Sequence, residues 1–343
     1  MRCMKWGSRA RAVVAGAFAV SLALTVGAAS AGEEKTYLMK VTTPTLNDAP
    51  HQMAKNFAAA VERESGGRIK TAVYPASQLG SIPRQIEGVQ FGAIQSAVIP
   101  PEFFVGVDER FEVLAAPGLV GSLDHGQRIA ADPAVLKLML ALGAEKGLHG
   151  VGLFMAQPSS TISRAPIRRL ADFEGKKIRI FASDFQSIAF KRLGATPVAM
   201  TLGDVLPAIQ QGAIDGAIAG ITVFNNLHFH DAAKYVTETN HAAIFLIVEV
   251  SQKWYASLPK DLQEVVDRAG ATESVAINTS AVDIFEKGRK GWVDNGGELI
   301  SLPPNDQSAM LEMLASVGAD VSKAKPHLSA AYGVVTEAAK RTR

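Results

Sequence analysis

Cysteine is almost missing from this chain of 343 residues: Cys3 stands alone, near the start. One thiol closes no internal disulfide, and from residue 4 onward thiol chemistry and cysteine-held metals are excluded. The sequence also lacks G-x-S-x-G, a Walker loop, H-E-x-x-H and C-x-x-C. Asp204 and Asp215 are separated by a predicted helix and have local work as a cap and a turn, so paired-carboxylate catalysis has no support. An enzyme is left without nucleophile, base or cofactor, and no cofactor is expected. Charge of one sign is not in excess either, with 35 Lys+Arg against 33 Asp+Glu. Four of those bases and none of the acids lie within residues 1–31, so the rest of the chain carries −2 rather than +2. A nucleic-acid partner therefore has no electrostatic warrant. Beyond residue 27 there is no apolar run long enough to span a bilayer.

The first 31 residues read as an export leader. Arg2, Lys5, Arg9 and Arg11 form a basic n-region, residues 12–27 are apolar but short for a membrane span, and Ala29-Ser30-Ala31 is an A-x-A cleavage site. The alternative is a membrane anchor. With cleavage, a soluble, cysteine-free protein is expected to begin near Gly32.

The length suits two domains, and residues 171–220 are the most legible stretch. Residues 177–182 alternate basic and apolar, as a strand does. Ser183 can cap a helix whose Ile188, Ala189 and Leu193 share a face and which Gly194 ends. Residues 196–200 are extended. Thr201-x-x-Asp204 has the capping-box pattern, opening a helix that stops at Gly212. Residues 213–219 form a strand broken at Asp215-Gly216. The unit is β-α-β-α-β.

Residues 37–99 repeat that order. A strand at 37–43 precedes a helix from Ala49 to Glu64, with Met53, Phe57 and Val61 as its buried stripe. Gly66-Gly67 ends it, residues 68–74 alternate as a strand, and 75–80 form a turn. Ser81-Ile82-Pro83 then starts a helix with proline in its first turn, followed by a strand at 94–99. Two such units predict a two-lobed α/β architecture with a cleft between the lobes. A helix is predicted at 133–148, and residues 149–155 can pass from one lobe to the other. Residues 241–250 form a long buried strand that returns. Residues 260–293 contain no breaker and would span ~45 Å as a helix, enough to brace both lobes. A strand at 298–302 and one or two helices complete the chain. The expected division is 32–155 plus about 244–284 as lobe I, and 156–243 plus about 285–343 as lobe II.

Arg179 lies in the first strand of the central unit, close to the carboxyl end where ligands gather in α/β sheets. It is either a surface arginine beside Lys176 and Lys177 or, since Lys177 and Arg179 share a face, part of a wet anion site. Its planar fork matches a carboxylate with two parallel charge-assisted hydrogen bonds. His228-x-His230-Asp231 is the one place where a metal is conceivable, but no further ligand cluster accompanies it and solvated loop histidines explain it as well.

Several segments in the right order carry a resemblance: Pro75-Ala-Ser-Gln-Leu-Gly80, Asp172-Phe-Glu-Gly-Lys-Lys-Ile-Arg179, Leu193-Gly-Ala-Thr-Pro-Val-Ala-Met200 and Ala208-Ile-Gln-Gln-Gly-Ala-Ile-Asp-Gly216. Lys234-Tyr235-Val236, Thr239-Asn240-His241, and Trp254 followed by Leu258-Pro259 and Leu262-Gln263 extend it across nearly the whole chain after the leader. Together they resemble the extracytoplasmic solute receptors of tripartite ATP-independent periplasmic (TRAP) transporters, of the DctP or dicarboxylate-receptor type. The resemblance implies a two-lobed, type II-like binding-protein fold with two crossing strands and a long helix spanning both lobes. It implies a periplasmic location, capture of an organic acid by lobe closure, and delivery to TRAP membrane permease subunits. Arg179 matches the family arginine that pairs with the ligand carboxylate.

Compared with the sialic-acid receptors of this family, polar ligand positions have become apolar. Pro100 stands where a carboxylate is expected, Phe103 where an arginine is, Ala219 where an asparagine is, and Leu202 where an aromatic ring flanks the ligand. The second arginine, six residues before Arg164, is Pro158, with Gln157 beside it. One anchor and an apolar wall suit a monocarboxylate with an apolar or aromatic body, because hydroxyls buried there without partners would be costly. Gln78, Thr43 and Gln157 are the candidates for the remaining hydrogen bonds, Gln78 being equally a turn residue bonding its own loop. Met200 is either packing or ligand contact. Phe103-Phe104 either closes the first lobe's core or faces the cleft, and Phe224 is open in the same way. A small dicarboxylate or sugar acid is the alternative ligand, and a periplasmic enzyme on the same scaffold is the alternative of another class.

Overall fold

In the computed structural model, which describes residues 35–343, the two repeated units become two separate sheets. The leader lies outside the described residues. The strands run β1 (Tyr37–Thr42), β2 (Ile69–Tyr74), β3 (Ser96–Ile99), β4 (Leu148–Pro158), β5 (Ser160–Ser163) and β6 (Lys177–Ile180). Then come β7 (Thr196–Ala199), β8 (Gly216–Ala219), β9 (Tyr235–Glu238), β10 (Ala243–Ser251) and β11 (Glu298–Ser301). The first sheet is five-stranded in the order β2-β1-β3-β10-β4, and the second six-stranded in the order β11-β9-β5-β8-β6-β7.

Within the described residues the chain crosses between sheets three times: from β10 to β11 through a helix and, side by side, from β4 into β5 and from β9 into β10. At that crossing the backbone N–H and hydroxyl of Ser159 both donate to the Ala242 carbonyl, at 2.9 and 3.0 Å. The unbroken apolar run of β10 follows from its place: Phe245 and Ile247 enter one core, while Leu246, Val248 and Val250 enter another. A strand covered on both faces has no polar side to alternate with.

The helix Ala49–Glu64 starts at Asp48, whose Oδ1 accepts from the His51 N–H at 3.1 Å, and Met53, Phe57 and Val61 are fully buried. The long helix Lys260–Asp294 has 35 residues and is about 50 Å long at 1.5 Å per residue. It packs on β4 and the helix Ala49–Glu64 at one end and on the helix Ile221–Asn226 and β11 at the other. Glycine permits both approaches. A Cβ on Gly270 would lie 2.5 Å from the Val151 carbonyl oxygen, and one on Gly288 would lie 2.7 Å from Thr222 Cγ2.

The structure departs from the sequence reading in three elements. The helix expected over 133–148 ends at Met139, because Gly143 and Gly147 take left-handed φ values of 75° and 85° and turn the chain into β4. The Thr201 hydroxyl does not cap its helix; it donates to Asp204 Oδ2 at 3.1 Å. At the end of the chain three α-helices follow β11: Pro304–Leu314, Val317–Ala324 and Ser329–Arg341. The last packs on Leu123–Ala130 and Pro133–Met139, where Arg341 pairs with Asp132 at 2.7 Å, although its place in the sequence falls in the stretch assigned above to lobe II. Among the described residues no helix is long and apolar enough to cross a membrane.

Candidate functional site

β6 begins with exposed Lys177 and then goes fully under cover at Ile178, Arg179 and Ile180. It runs parallel to β7 and β8, with Arg179 opposite Val198 and Ala217. Arg179 is therefore not a surface arginine: only 1% of it is exposed. Its Nε donates to the Met200 carbonyl at 2.9 Å and Nη1 to the Ile218 carbonyl at 3.1 Å. Nη2 has no hydrogen-bond partner, and no carboxylate pairs with the guanidinium among the described residues. The Phe181 ring lies 4.8 Å from Cζ and the Phe103 ring 5.9 Å, so aromatic faces supply the only other stabilisation. Burial pulls its pKa down to about 9, which leaves the charge in place at neutral pH. A buried cation held by two carbonyls and no anion is costly, and it favours any anion that reaches it.

Above Arg179 is a cleft with about 490 Å³ of atom-free space, part of it open to solvent. Pro44, Thr45, Asp48, Ile82, Pro100, Phe103, Ala156, Gln157, Ile244 and Leu246 line it from the β1–β4 and β10 segments. Arg179, Phe181, Leu202, Ala219, Gly220 and Val223 line it from the second sheet and its loops. Most of these contacts are hydrocarbon. Next to the lining residues Thr45 and Asp48, the carbonyls of Leu46 and Asn47 accept from Asn226 Nδ2 at 2.9 and 2.8 Å.

Of the residues singled out from the sequence, Arg179, Pro100, Phe103, Gln157, Leu202 and Ala219 all meet in this cleft. Three do not. Gln78 is exposed in its turn, and the buried glutamine there is Gln85, which donates to the Gly80 carbonyl at 2.8 Å and accepts from Thr42. Thr43 is buried with its hydroxyl unpartnered, but its neighbour Pro44 forms the wall. Met200 acts through its backbone, as the acceptor that orients Arg179, and its side chain packs in the core under β8. Gln157 lines the cleft with its amide oriented by Thr222: its Nε2 donates to the Thr222 hydroxyl at 2.6 Å and its Oε1 accepts from the Thr222 N–H at 3.4 Å. Gly220 makes that seat possible, since a Cβ there would fall 2.1 Å from Gln157 Cδ.

The aromatic alternatives separate cleanly. Phe103 stacks at 5.1 Å on Phe181 in the cleft, whereas Phe104 packs on Phe111 in the core. Phe224 is wholly buried against Phe229. His230 packs edge-on against Trp292, and no cluster able to hold a metal occurs among the described residues.

Asp48 is the residue that sequence patterning did not bring to the cleft. Its Oδ1 caps the helix, but Oδ2 is buried, unpartnered and part of the lining. Burial lifts its pKa to about 6. The cap signal at Asn47-Asp48-Ala49-Pro50 was readable; the inward-facing oxygen was not. Among the described residues four further carboxyls are buried outside the cleft, and two of these, Glu102 and Glu249, lack side-chain hydrogen bonds. Glu102 is pushed up to about 8, by burial first and by nearby Glu112 in addition, and Glu249 is raised by burial.

Residues 41–324 match the family described as bacterial extracellular solute-binding protein, family 7, or DctP. The C4-dicarboxylate-binding periplasmic protein DctP of Rhodobacter capsulatus is 27% identical over 306 residues, 88% of this chain and 90% of that protein. A TRAP periplasmic solute-binding protein from Desulfovibrio salexigens, solved with bound orotic acid, superposes with a TM-score of 0.83 at 21% identity, covering 90% of this chain and 100% of that one. Another from Shewanella oneidensis, solved with bound succinate, gives 0.81 at 24% identity over 90% of this chain and 99% of that one. The fold, with its crossing strands and shared helix, is the one this resemblance implied. The chain belongs to the DctP family of TRAP extracytoplasmic solute receptors, which bind solutes and are not enzymes.

Proposed function

We propose that this protein is exported by its 1–31 leader, captures an organic acid by a pair between Arg179 and the ligand carboxylate, and delivers it to TRAP permease subunits in the membrane. The observation that carries this reading is the buried, unpaired guanidinium at the floor of the cleft. Two of its five N–H donors are used on carbonyls, which leaves a fork for a carboxylate. The segments carrying the two sheets serve as lobes, and closure dries the pair. The acids named for the relatives, a C4-dicarboxylate, orotate and succinate, fit the same chemistry at the anchor.

For the body of the ligand, the wall of Pro100, Phe103, Leu202 and Ala219 favours a monocarboxylate with an apolar or aromatic body. Among the relatives' ligands, succinate and the C4-dicarboxylate are in line with the second reading, a small dicarboxylate or sugar acid, whereas orotate, a monocarboxylate on an aromatic ring, is in line with the first. A melting screen of the purified protein over a library of organic acids tests both. Saturation at a hundred times the dissociation constant stabilises the fold by ~2.7 kcal/mol. Stabilisation by apolar-bodied monocarboxylates supports the preferred ligand, and stabilisation by dicarboxylates or sugar acids alone supports the second. No response to any carboxylate refutes the receptor reading.

A further inference from the structure

The cleft has a second polar end, away from Arg179. Asp48 is 1% exposed and Thr45 6% exposed, and both line the cleft. Neither Asp48 Oδ2 nor Thr45 Oγ1 makes a hydrogen bond of ordinary geometry, although the Thr45 hydroxyl lies near enough to Asp48 to favour its charged form as a donor. Buried polar oxygens of this kind are rare in folded proteins, and each is destabilising while unpaired. Asp48 forms no ion pair with Arg179, so the two do not compensate each other. They stand on opposite walls, Asp48 in the loop after β1 and Arg179 on β6, with apolar lining between.

We propose that Asp48, assisted by Thr45, is a specificity-determining subsite for a hydrogen-bond donor at the far end of the ligand, so that the captured acid carries a hydroxyl, N–H or ammonium group opposite its carboxylate. This rests on the Arg179 anchor described above and extends it. An ionised carboxylate accepts hydrogen bonds and cannot donate them. It therefore rewards a donor and repels a second carboxylate, which places succinate-like dianions at a disadvantage here. The apolar lining fits the hydrocarbon that joins the two polar ends.

The test uses the full mature chain and matched series of plain, ω-hydroxy and ω-amino carboxylic acids of three to six carbons, with affinities from calorimetry at pH 7.5. Wild-type protein should bind a donor-tipped acid about tenfold or more tightly than the plain acid of the same length, at the length that spans the cleft. Asp48→Asn keeps the helix cap, since asparagine caps as well as aspartate, but turns an N–H₂ toward the ligand. That variant should bring the donor preference of the ω-amino acids, taken as the ratio of their affinity to that of the plain acid of the same length, down to about one. Arg179→Lys should weaken plain and tipped acids alike. A donor preference unchanged in Asp48→Asn, or plain acids bound as tightly as tipped ones at every length, overturns the inference and leaves the anchor standing. Failure of every acid in the series, plain or tipped, overturns the anchor and this subsite with it.

Discussion

Replacing Arg179 by methionine separates binding from folding. In the free protein the guanidinium gives up its bonds to the Met200 and Ile218 carbonyls, leaving two acceptors that cost roughly 1–3 kcal/mol each if they find no substitute. Against that, a cation that is 1% exposed and has no anionic partner is removed, which relieves several kcal/mol of desolvation. These terms oppose each other, so the unliganded variant should melt within a few degrees of wild type. Binding has no such offset. Two charge-assisted bonds to a carboxylate are worth about 3–6 kcal/mol, so affinity should fall by roughly two to four powers of ten. Arg179→Lys should lose much of the same affinity, because a point charge does not reproduce the fork. The assay is calorimetric titration with the acid found by melting screen, paired with melts of the unliganded proteins. Affinity within threefold of wild type would refute the anchor. A variant that fails to fold would make Arg179 a structural residue and refute the offset argued here.

Other expectations concern the scaffold. Glu102 keeps its proton up to about 8 in the fold but releases it near 4.5 when unfolded, so its contribution to stability falls as pH rises between those values. Glu102→Gln should match wild type near pH 4 and exceed it in thermal stability at pH 9, and equal pH profiles for the two proteins would contradict this. Gly220→Ala forces a Cβ into the Gln157 amide, 2.1 Å away, and should cost about 1–3 kcal/mol in denaturant unfolding, together with weaker acid binding as the wall shifts. Gly270→Ala meets the rigid Val151 carbonyl at 2.5 Å and should destabilise at least as much while leaving the cleft lining untouched.

Local chemistry in the sequence was enough to reveal the strands, the glycine stops and the arginine, because each rests on neighbours a few residues away. The continuous apolar run of β10 announced a strand covered on both faces, and the breaker-free stretch from Lys260 announced the long helix. Legibility ended where a side chain's partner is distant in sequence. Gln157 takes its orientation from Thr222, 65 residues on, which no local pattern shows. Gln78 is equally readable as a ligand donor or as a turn residue; Ala76 and Ser77 beside it adopt left-handed backbone, and the buried glutamine is Gln85. Asp48 is placed by its neighbours only as a helix cap, and the walls that bury its second oxygen come from elements as remote as β10.

The long helix touches one half of the molecule through Gly270 and the other through Gly288, in each case with no side chain to act as a cushion. A rod seated this closely at two stations cannot slide lengthwise without a steric clash. Any opening of the cleft would have to flex the segment between those stations or lift the rod off one of them, so the shared helix would resist the motion as well as set its geometry.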